Sequence, residues 1–525
     1  MDPRLRAGTR PPPIRRPLSR RLRTGPGTHR PYAPMVATVV DDDATRVADD
    51  TAAGPRTDRP TPLQLWVLAV AVLLSAWAHL HRIGTTSALL DELTYQQSGI
   101  DAVRGTITAP AQPYLARHLF GLAQLLLGEG LPAARVASAI ASILTGLVLF
   151  ALGRRMAGWW AGVGALVLWS VLPQATQAPD GTVTMLKLGR SALLEPLMVL
   201  FVVVALERCW RWVETGVLRH AVLTGCALGA AVACKPTAGL LAPVLVVAAL
   251  VALGPSWRAL RQVAAVAGAA AAVVLVSYLP LGGEAPDALR FMIEYQTQEH
   301  AAAGHPVIVA GEVHATAPWW SYGWWQWRSV GTVALLALLV GAVAAVASPP
   351  RRWFTGLLVA SVVVPFAYFG LVAEFGLAHY LHLWQPMLVL LAAVGVTALA
   401  RRGGPPGVLA AALGLCLAAV GVQTLVDIAT TERLGYGAIG ELVAARDLAG
   451  ESVVVWGQTL VVEHHLPGAQ VVRNPAEATR PISAVIVDPG TVARDPRPAV
   501  VDYLAAEGSS FTRTEVDHLT LYLRD

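Results

Sequence analysis

Charge is scarce in this sequence. Asp, Glu, Lys and Arg supply 14% of its 525 residues, against about a quarter in a soluble domain, which argues against the string of soluble domains that length alone would suggest. Cysteine is scarcer: Cys209, Cys226, Cys234 and Cys416 all fall in or beside apolar runs, so neither a disulfide framework nor a C-x-x-C metal site is indicated. No G-x-x-x-x-G-K-[ST] occurs, and no G-x-G-x-x-G opens a helix after a strand, so a nucleotide site has no support. No apolar stretch follows the first arginines before Thr61, and the N-terminus is therefore not expected to be a signal peptide.

What the chain has in abundance is grease. Hydrophobic residues make up 54% of it and the mean hydropathy is +0.52. Runs of about 20 apolar residues recur, each long enough to cross roughly 30 Å of hydrocarbon. They lack the alternation of barrel strands, so the spanning structure must be helical. The expected spans lie near 63–82, 132–153, 156–173, 190–207, 219–234, 237–254, 261–281, 329–348, 354–373, 380–400 and 406–426. The fold class is a polytopic α-helical membrane protein of about 11 transmembrane helices.

Two flanking regions differ in character. Residues 1–60, rich in Arg, Pro, Thr and Asp without an apolar period, are expected to be a disordered cytoplasmic tail, with Met35 as an alternative start. Beyond residue 430 short β-branched runs (Ser452–Trp456, Ala484–Asp488) alternate with helical stretches (Ala438–Leu448, Ala499–Glu507), which reads as a small C-terminal external α/β domain over 431–525.

The net charge of +5 comes largely from arginines in the first 30 residues and from Arg pairs between spans. That pattern fits the positive-inside rule and anionic headgroups better than a nucleic-acid footprint. Placing Arg154-Arg155, Arg208 to Arg219, Arg258 to Arg261, Arg351-Arg352 and Arg401-Arg402 in the cytoplasm puts the N-terminus inside and, after eleven crossings, the C-terminal domain outside a plasma membrane. The loops 83–131 and 282–328 then fall outside, as do Arg190, Lys235 and the His379 segment. One choice of sidedness gathers the unusual polar residues on a single face.

Ionisable residues beside membrane spans are functional candidates. Asp91-Glu92 follows the first span and opens an amphipathic stretch, where a partly desolvated carboxylate can serve as general base toward a hydroxyl; solvated loop charges are the plainer alternative. Arg117, within Gln112-Pro113-Tyr114-Leu115-Ala116-Arg117-His118, binds a phosphate or snorkels to headgroups. Glu195, a turn into an apolar run, costs about 2.5–3.5 kcal/mol if ionised there, and needs Arg190 or Lys235 as partner; the pair is structural, site-orienting or both. Lys235, followed by Pro236 at a helix break, suits a lipid-linked phosphate beside the positive end of the next helix, or again an interfacial anchor. His300 and His305 lack a recognised ligand spacing, so no metal site is assigned. Trp319, Trp320, Trp324, Trp325 and Trp327 form an interfacial belt or a surface for a sugar or isoprenoid.

With these residues together, the chain resembles the GT-C superfamily of polyprenyl-phosphate-sugar-dependent glycosyltransferases. The resemblance covers about residues 63–400. It rests on Leu90-Asp91-Glu92-Leu93-Thr94-Tyr95 after the first span and on Arg190-Ser191-Ala192-Leu193-Leu194-Glu195, like the family's R-x-x-x-L-D. It rests also on Ala378-His379-Tyr380-Leu381-His382-Leu383-Trp384-Gln385-Pro386, like its R/H-Y-L-x-P segment. Glu294 to Pro306 and the Trp run look like the corresponding region of protein O-mannosyltransferases, while the compact length and external tail look more like aminoarabinose transferases. The resemblance implies a GT-C-like domain over 61–430, with Asp91 as base and Glu92 positioning it or the acceptor. Arg190, Lys235 and Arg117 would hold the donor's lipid phosphate, with Glu195, His300, His305, His379 and Tyr380 orienting the pocket. It implies direct displacement with inversion, a polyprenyl-phosphate sugar (mannose or a related hexose or pentose) as donor, a protein, lipid or polysaccharide acceptor, and no obligatory cofactor, a divalent metal being unsupported. Two other classes fit a polytopic basic chain: a lipid-sugar transporter or flippase, and a non-catalytic cell-envelope subunit. Charges at span ends on one side and the lack of an internal repeat favour the enzyme.

Overall fold

Inside lipid each backbone N–H and C=O must be satisfied within its own segment, and the apolar runs accordingly become helices. The computed structural model describes residues 59–106, 108, 111–174, 187–299, 307–349, 351–373, 376–430, 435–446, 451–492 and 495–525; the expected N-terminal tail, His300 and His305 lie outside them. The helices up to the C-terminal sheet are α1 (Pro62–Leu80), α2 (Leu90–Val103), α3 (Leu115–Leu127), α4 (Leu131–Ala157), α5 (Trp159–Val171), α6 (Leu194–Thr215), α7 (Leu218–Cys234), α8 (Leu241–Leu253), α9 (Trp257–Tyr278), α10 (Ala285–Glu299), α11 (Ser321–Ala347), α12 (Arg352–Leu371), α13 (Gln385–Arg402), α14 (Gly404–Thr430) and α15 (Tyr436–Ala444). A short hairpin, β1 (Val307–Val309) with β2 (Glu312–His314), precedes α11.

Among the described residues eight helices are long and apolar enough to cross a membrane, falling on α1, α4, α8, α9, α11, α12, α13 and α14. The other three expected runs are helical too, as α5, α6 and α7. With 13 residues, α5 rises only about 20 Å, less than the hydrocarbon thickness, and α6 carries Glu195, Glu207, Arg208, Arg211 and Glu214.

Boundaries move where a proline or glycine dictates. The run from 380 begins with a 3-10 turn, Ala378–Leu383, and the span starts at Gln385 because Pro386 fits the first helical turn, where no N–H is needed. Pro236 likewise opens a 3-10 turn ahead of α8. The Trp-rich start of α11 is separated from its apolar part by a kink at Gly331.

The basic ends of the helices meet one another. Arg155 pairs with Glu207 and Glu214, Arg258 donates to the Gly216 carbonyl, Arg401 to the Ala157 carbonyl and Arg402 to Ser348. The arginine-rich loops thus share one end of the bundle.

Downstream, β3 (Ser452–Trp456), α16 (Thr459–His465), β4 (Gln470–Val472), β5 (Ile482–Val487), α17 (Pro489–Val492), α18 (Pro498–Glu507), β6 (Phe511–Val516) and β7 (Leu519–Arg524) build a five-stranded sheet of order β4-β3-β5-β7-β6. β3 pairs in parallel with β4 and β5, while β7 runs antiparallel to β5 and β6. β3 and β5 read as unbroken apolar runs because both faces of the sheet are covered. Val454, Trp456 and Val485 pack with Val500 and Phe511 on one side. Val453, Val455 and Ile486 face the other side, with Tyr436, Ile439, Val461 and Val462, and that core is continuous with Ala88 and Leu93 of the helical bundle.

Candidate active site

Asp91 and Glu92 occupy the first turn of α2, where carboxylates are favoured by the orphan N–H groups and helix dipole. Glu92 is fully buried and its two oxygens have four donors. Arg135 of α4 grips it in a fork, Nε to Oε1 at 2.8 Å and Nη2 to Oε2 at 2.7 Å. The backbone N–H of Leu89 donates to Oε2 at 3.0 Å and that of Ala192 to Oε1 at 2.7 Å. The remaining guanidinium hydrogens of Arg135 go to the carbonyls of Ile83, Thr86 and Ser87 and to the Thr86 hydroxyl. Glu92 is thereby a pin for the loop entering α2, while its neighbour Asp91 is half-buried on the same first turn. The local helix pair is equally tight: a Cβ on Gly121 of α3 would stand 2.1 Å from the Gly99 carbonyl oxygen of α2, so this crossing requires glycine.

Three residues beyond Ala192, Glu195 opens α6. Its partner is Lys235, the two side chains forming a buried ion pair. Arg190, the other partner expected for it, is engaged elsewhere. His379 Nε2 lies 3.4 Å from Glu195 Oε1, and the Lys235 ammonium sits 4.3 Å from the centre of the Tyr380 ring, a cation–π distance. Burial and the Lys235 charge lower the His379 imidazole to about 4, against the pull of Glu195, so the ring is neutral near pH 7. An ammonium carries three N–H donors; among the described residues Glu195 accepts from that of Lys235.

The remaining two cations expected at the donor phosphate each donate to backbone carbonyls. Arg190 donates to the carbonyls of Ala78 and His81 at the end of α1, where a cation complements the helix dipole; burial, reinforced by Arg135 and Arg82, lowers its pKa to about 10. Arg117 is 1% exposed, donates to the Thr108 carbonyl at 3.0 Å and lies 4.8 Å from the Tyr114 ring centre. It is buried, and a snorkelling headgroup anchor is not the arrangement found.

Two important residues were not singled out from sequence. Arg135 is one; it lies a turn inside an apolar run, and the cost argument that flags Glu195 applies to it equally. Lys187 is the other. Buried and shifted well below the usual lysine range by burial and by Arg190, it donates to the Trp169 and Leu172 carbonyls at 2.8 and 3.0 Å, closing the C-terminal end of α5. The Trp cluster divides: Trp325 is buried against Tyr322, whereas Trp319, Trp320 and Trp327 are exposed, as an interfacial belt requires. Among the described residues no three His, Cys, Asp or Glu side chains are grouped to hold a metal ion.

The three sequence segments therefore converge. The α2 start is bonded to the 190–195 segment through Glu92 and Ala192, and that segment is bonded through Glu195 to Lys235 and His379. A carboxylate candidate at the start of α2 and a buried ammonium at the far end of the bonded path suit displacement of a phosphate-linked group.

A family model described as "Dolichyl-phosphate-mannose-protein mannosyltransferase" matches residues 111–280. The structure is similar to that of ArnT from Cupriavidus metallidurans bound to undecaprenyl phosphate, with a TM-score of 0.56 at 13% identity over 87% of this chain and 97% of that one. It is also similar to the Archaeoglobus fulgidus oligosaccharyltransferase tethered to an acceptor peptide containing the NVT sequon, with a TM-score of 0.53 at 13% identity over 88% and 74% of the two chains. The same archaeal enzyme, AglB, in complex with an inhibitory peptide and a dolichol-phosphate scores 0.50 at 11% identity, over 88% and 74%. No curated protein matches in sequence. The class is that of helical membrane proteins with the GT-C fold. Within it, the family match over residues 111–280 and the structural neighbours together indicate a glycosyltransferase.

Proposed function

We propose that this protein moves a sugar, mannose or a related hexose or pentose, from a polyprenyl-phosphate carrier to an acceptor hydroxyl on the extracytoplasmic side of the cell membrane. The observation that supports it best is the bonded path from Glu92 through Ala192 and Glu195 to Lys235, His379 and Tyr380. That path supports the reading because it links the start of α2, which carries Asp91, to the buried ammonium of Lys235.

In this reading Asp91 takes the proton of the acceptor hydroxyl as its oxygen attacks the anomeric carbon. The bond from that carbon to the phosphate oxygen breaks on the opposite face, inverting the configuration, and polyprenyl phosphate leaves with the electron pair. Lys235 stabilises the charge that accumulates on the departing phosphate, a preorganised cation in a site with little water. Glu195 and Tyr380 hold that ammonium in place. Glu92 with Arg135 holds the α2 start, so that orientation rather than covalent chemistry carries the rate. No metal or second cofactor enters the scheme.

The test is direct. Purified protein is incubated with polyprenyl-phosphate sugars and with peptide, lipid and glycan acceptors, and release of polyprenyl phosphate is followed together with sugar transfer. Acceptor-dependent release supports the reading. Movement of intact donor across a vesicle bilayer without bond cleavage would replace it with the transporter alternative.

A further inference from the structure

The loop that delivers Asp91 to the start of α2 is tied almost entirely by the membrane bundle. The carbonyls of Ile83, Thr86 and Ser87 go to Arg135, and the Leu89 amide goes to Glu92. The Ala88 amide is the exception. It donates to Nε2 of His465, the last residue of α16 in the C-terminal domain, at 3.4 Å. Ala88 is buried and belongs to the apolar core that runs from the bundle into the C-terminal sheet, and α16 packs on α2 at this point.

His465 is itself held from behind. A Cβ added at Gly440 of α15 would stand 2.7 Å from the His465 Cβ and 3.2 Å from its carbonyl oxygen. Glycine at 440 therefore permits α15 and α16 to approach closely enough to press the imidazole toward the loop. To accept at Nε2 the ring must be neutral, with its proton on Nδ1.

We propose that His465 is a positioning residue for Asp91, and that the C-terminal domain acts through it as a clamp on the first external loop. The domain then contributes to the reaction without touching the substrate. It holds the Ala88 amide of the segment immediately before Asp91, and a base must be held within a fraction of an ångström of its productive place. The kinetic consequence rests on the glycosyltransferase reading above; the clamp itself does not.

Two substitutions separate the clamp from mere packing. In His465→Gln the amide oxygen reaches the position of Nε2 and can accept from Ala88. In His465→Asn the polar group stops at the position of Nδ1, too short to do so. Both are made in the full-length protein, checked for folding by size-exclusion chromatography, and measured by hydrogen exchange over residues 84–95 and by steady-state transfer. His465→Asn is expected to speed exchange of the Ala88 amide on the order of tenfold or more and to lower kcat by roughly ten- to a hundredfold, with donor KM unchanged. His465→Gln should restore both toward wild type. Wild-type exchange and kcat in His465→Asn would overturn the clamp, as would equal impairment of the two variants, since packing of the ring would then be what matters. Absence of transfer by the wild type would count against the glycosyltransferase reading, while the exchange comparison would still judge the clamp.

Discussion

Glu92 and Arg135 form a bidentate ion pair in which neither side chain is more than 1% exposed, and the remaining polar hydrogens of the guanidinium are taken up by the loop at 83–87. With its four donors Glu92 holds the start of α2 in place, and the proposed reading gives the role of base to its neighbour Asp91. The pair fixes two elements at once, since Glu92 also takes the Ala192 amide ahead of α6.

Breaking that pair should be costly. Arg135→Ala leaves a buried carboxylate unpaired, for which losses of about 3–5 kcal/mol are typical. Arg135→Lys should recover part of the stability, because the charge stays while the planar fork is lost. Thermal unfolding in detergent measures both, and equal stability of Arg135→Ala and wild type would remove the pair from the architecture.

Asp91→Asn keeps the size of the side chain and removes its proton acceptance. Transfer should fall at least roughly 10²-fold, with the unfolding temperature and donor affinity close to wild type. Near-normal turnover by a folded Asp91→Asn protein would take Asp91 out of the mechanism.

On the proposed reading, in which the ammonium would act on the phosphate in both ground and transition states, Lys235→Ala should weaken donor binding and slow turnover with little change in acceptor KM. The same change strands Glu195 in the core, so unfolding must be measured beside kinetics. Lys235→Ala with Glu195→Gln removes the stranded charge and isolates the phosphate effect. If that folded double variant binds donor like wild type, the lysine belongs to the scaffold alone.

The helices were legible in the sequence because lipid leaves few options: a run of apolar residues of the right length has to be helical. The Glu195–Lys235 pair was half legible, since burial of Glu195 demanded a cation, but Arg190 stood five residues away and Lys235 forty. Backbone geometry decided between them. Arg190 sits after a 3-10 turn, Leu188–Arg190, that aims it at the end of α1, whereas the break at Pro236 leaves Lys235 facing Glu195. Arg135 was legible in principle, as a charge in a greasy run, and its grip on Glu92 was not, because the contact spans 43 positions and depends on how α2 and α4 cross. The role of His465 depends on a meeting of two separately patterned regions, which no local spacing encodes.

Acid should destabilise the site in a defined window. The His379 pKa is lowered to about 4 from its usual 6.5, so between those values the unfolded chain binds a proton that the folded chain does not. Stability therefore falls as pH drops from about 6.5 to about 4 and levels off below, once both forms are protonated. A His379→Gln protein should show a shallower decline across this window in unfolding temperature. An identical profile would mean that His379 does not contribute to it.

Sidedness provides the remaining check, because the arginine-rich helix ends share one end of the bundle and the positive-inside rule leads us to expect that end in the cytoplasm. Single cysteines at Thr316 and Asp502, both exposed, should react with an impermeant thiol reagent in intact cells. Cysteines at Thr215 and Arg351, exposed near the arginine-rich end, should react only after permeabilisation. The native cysteines are buried or half-buried and give a low background. Labelling of Asp502→Cys only after permeabilisation, with Thr316→Cys labelled from outside, would separate the C-terminal domain from the face that carries Asp91. The contact of His465 with Ala88 argues against that outcome, so the experiment tests the number of crossings and the docking of the domain together.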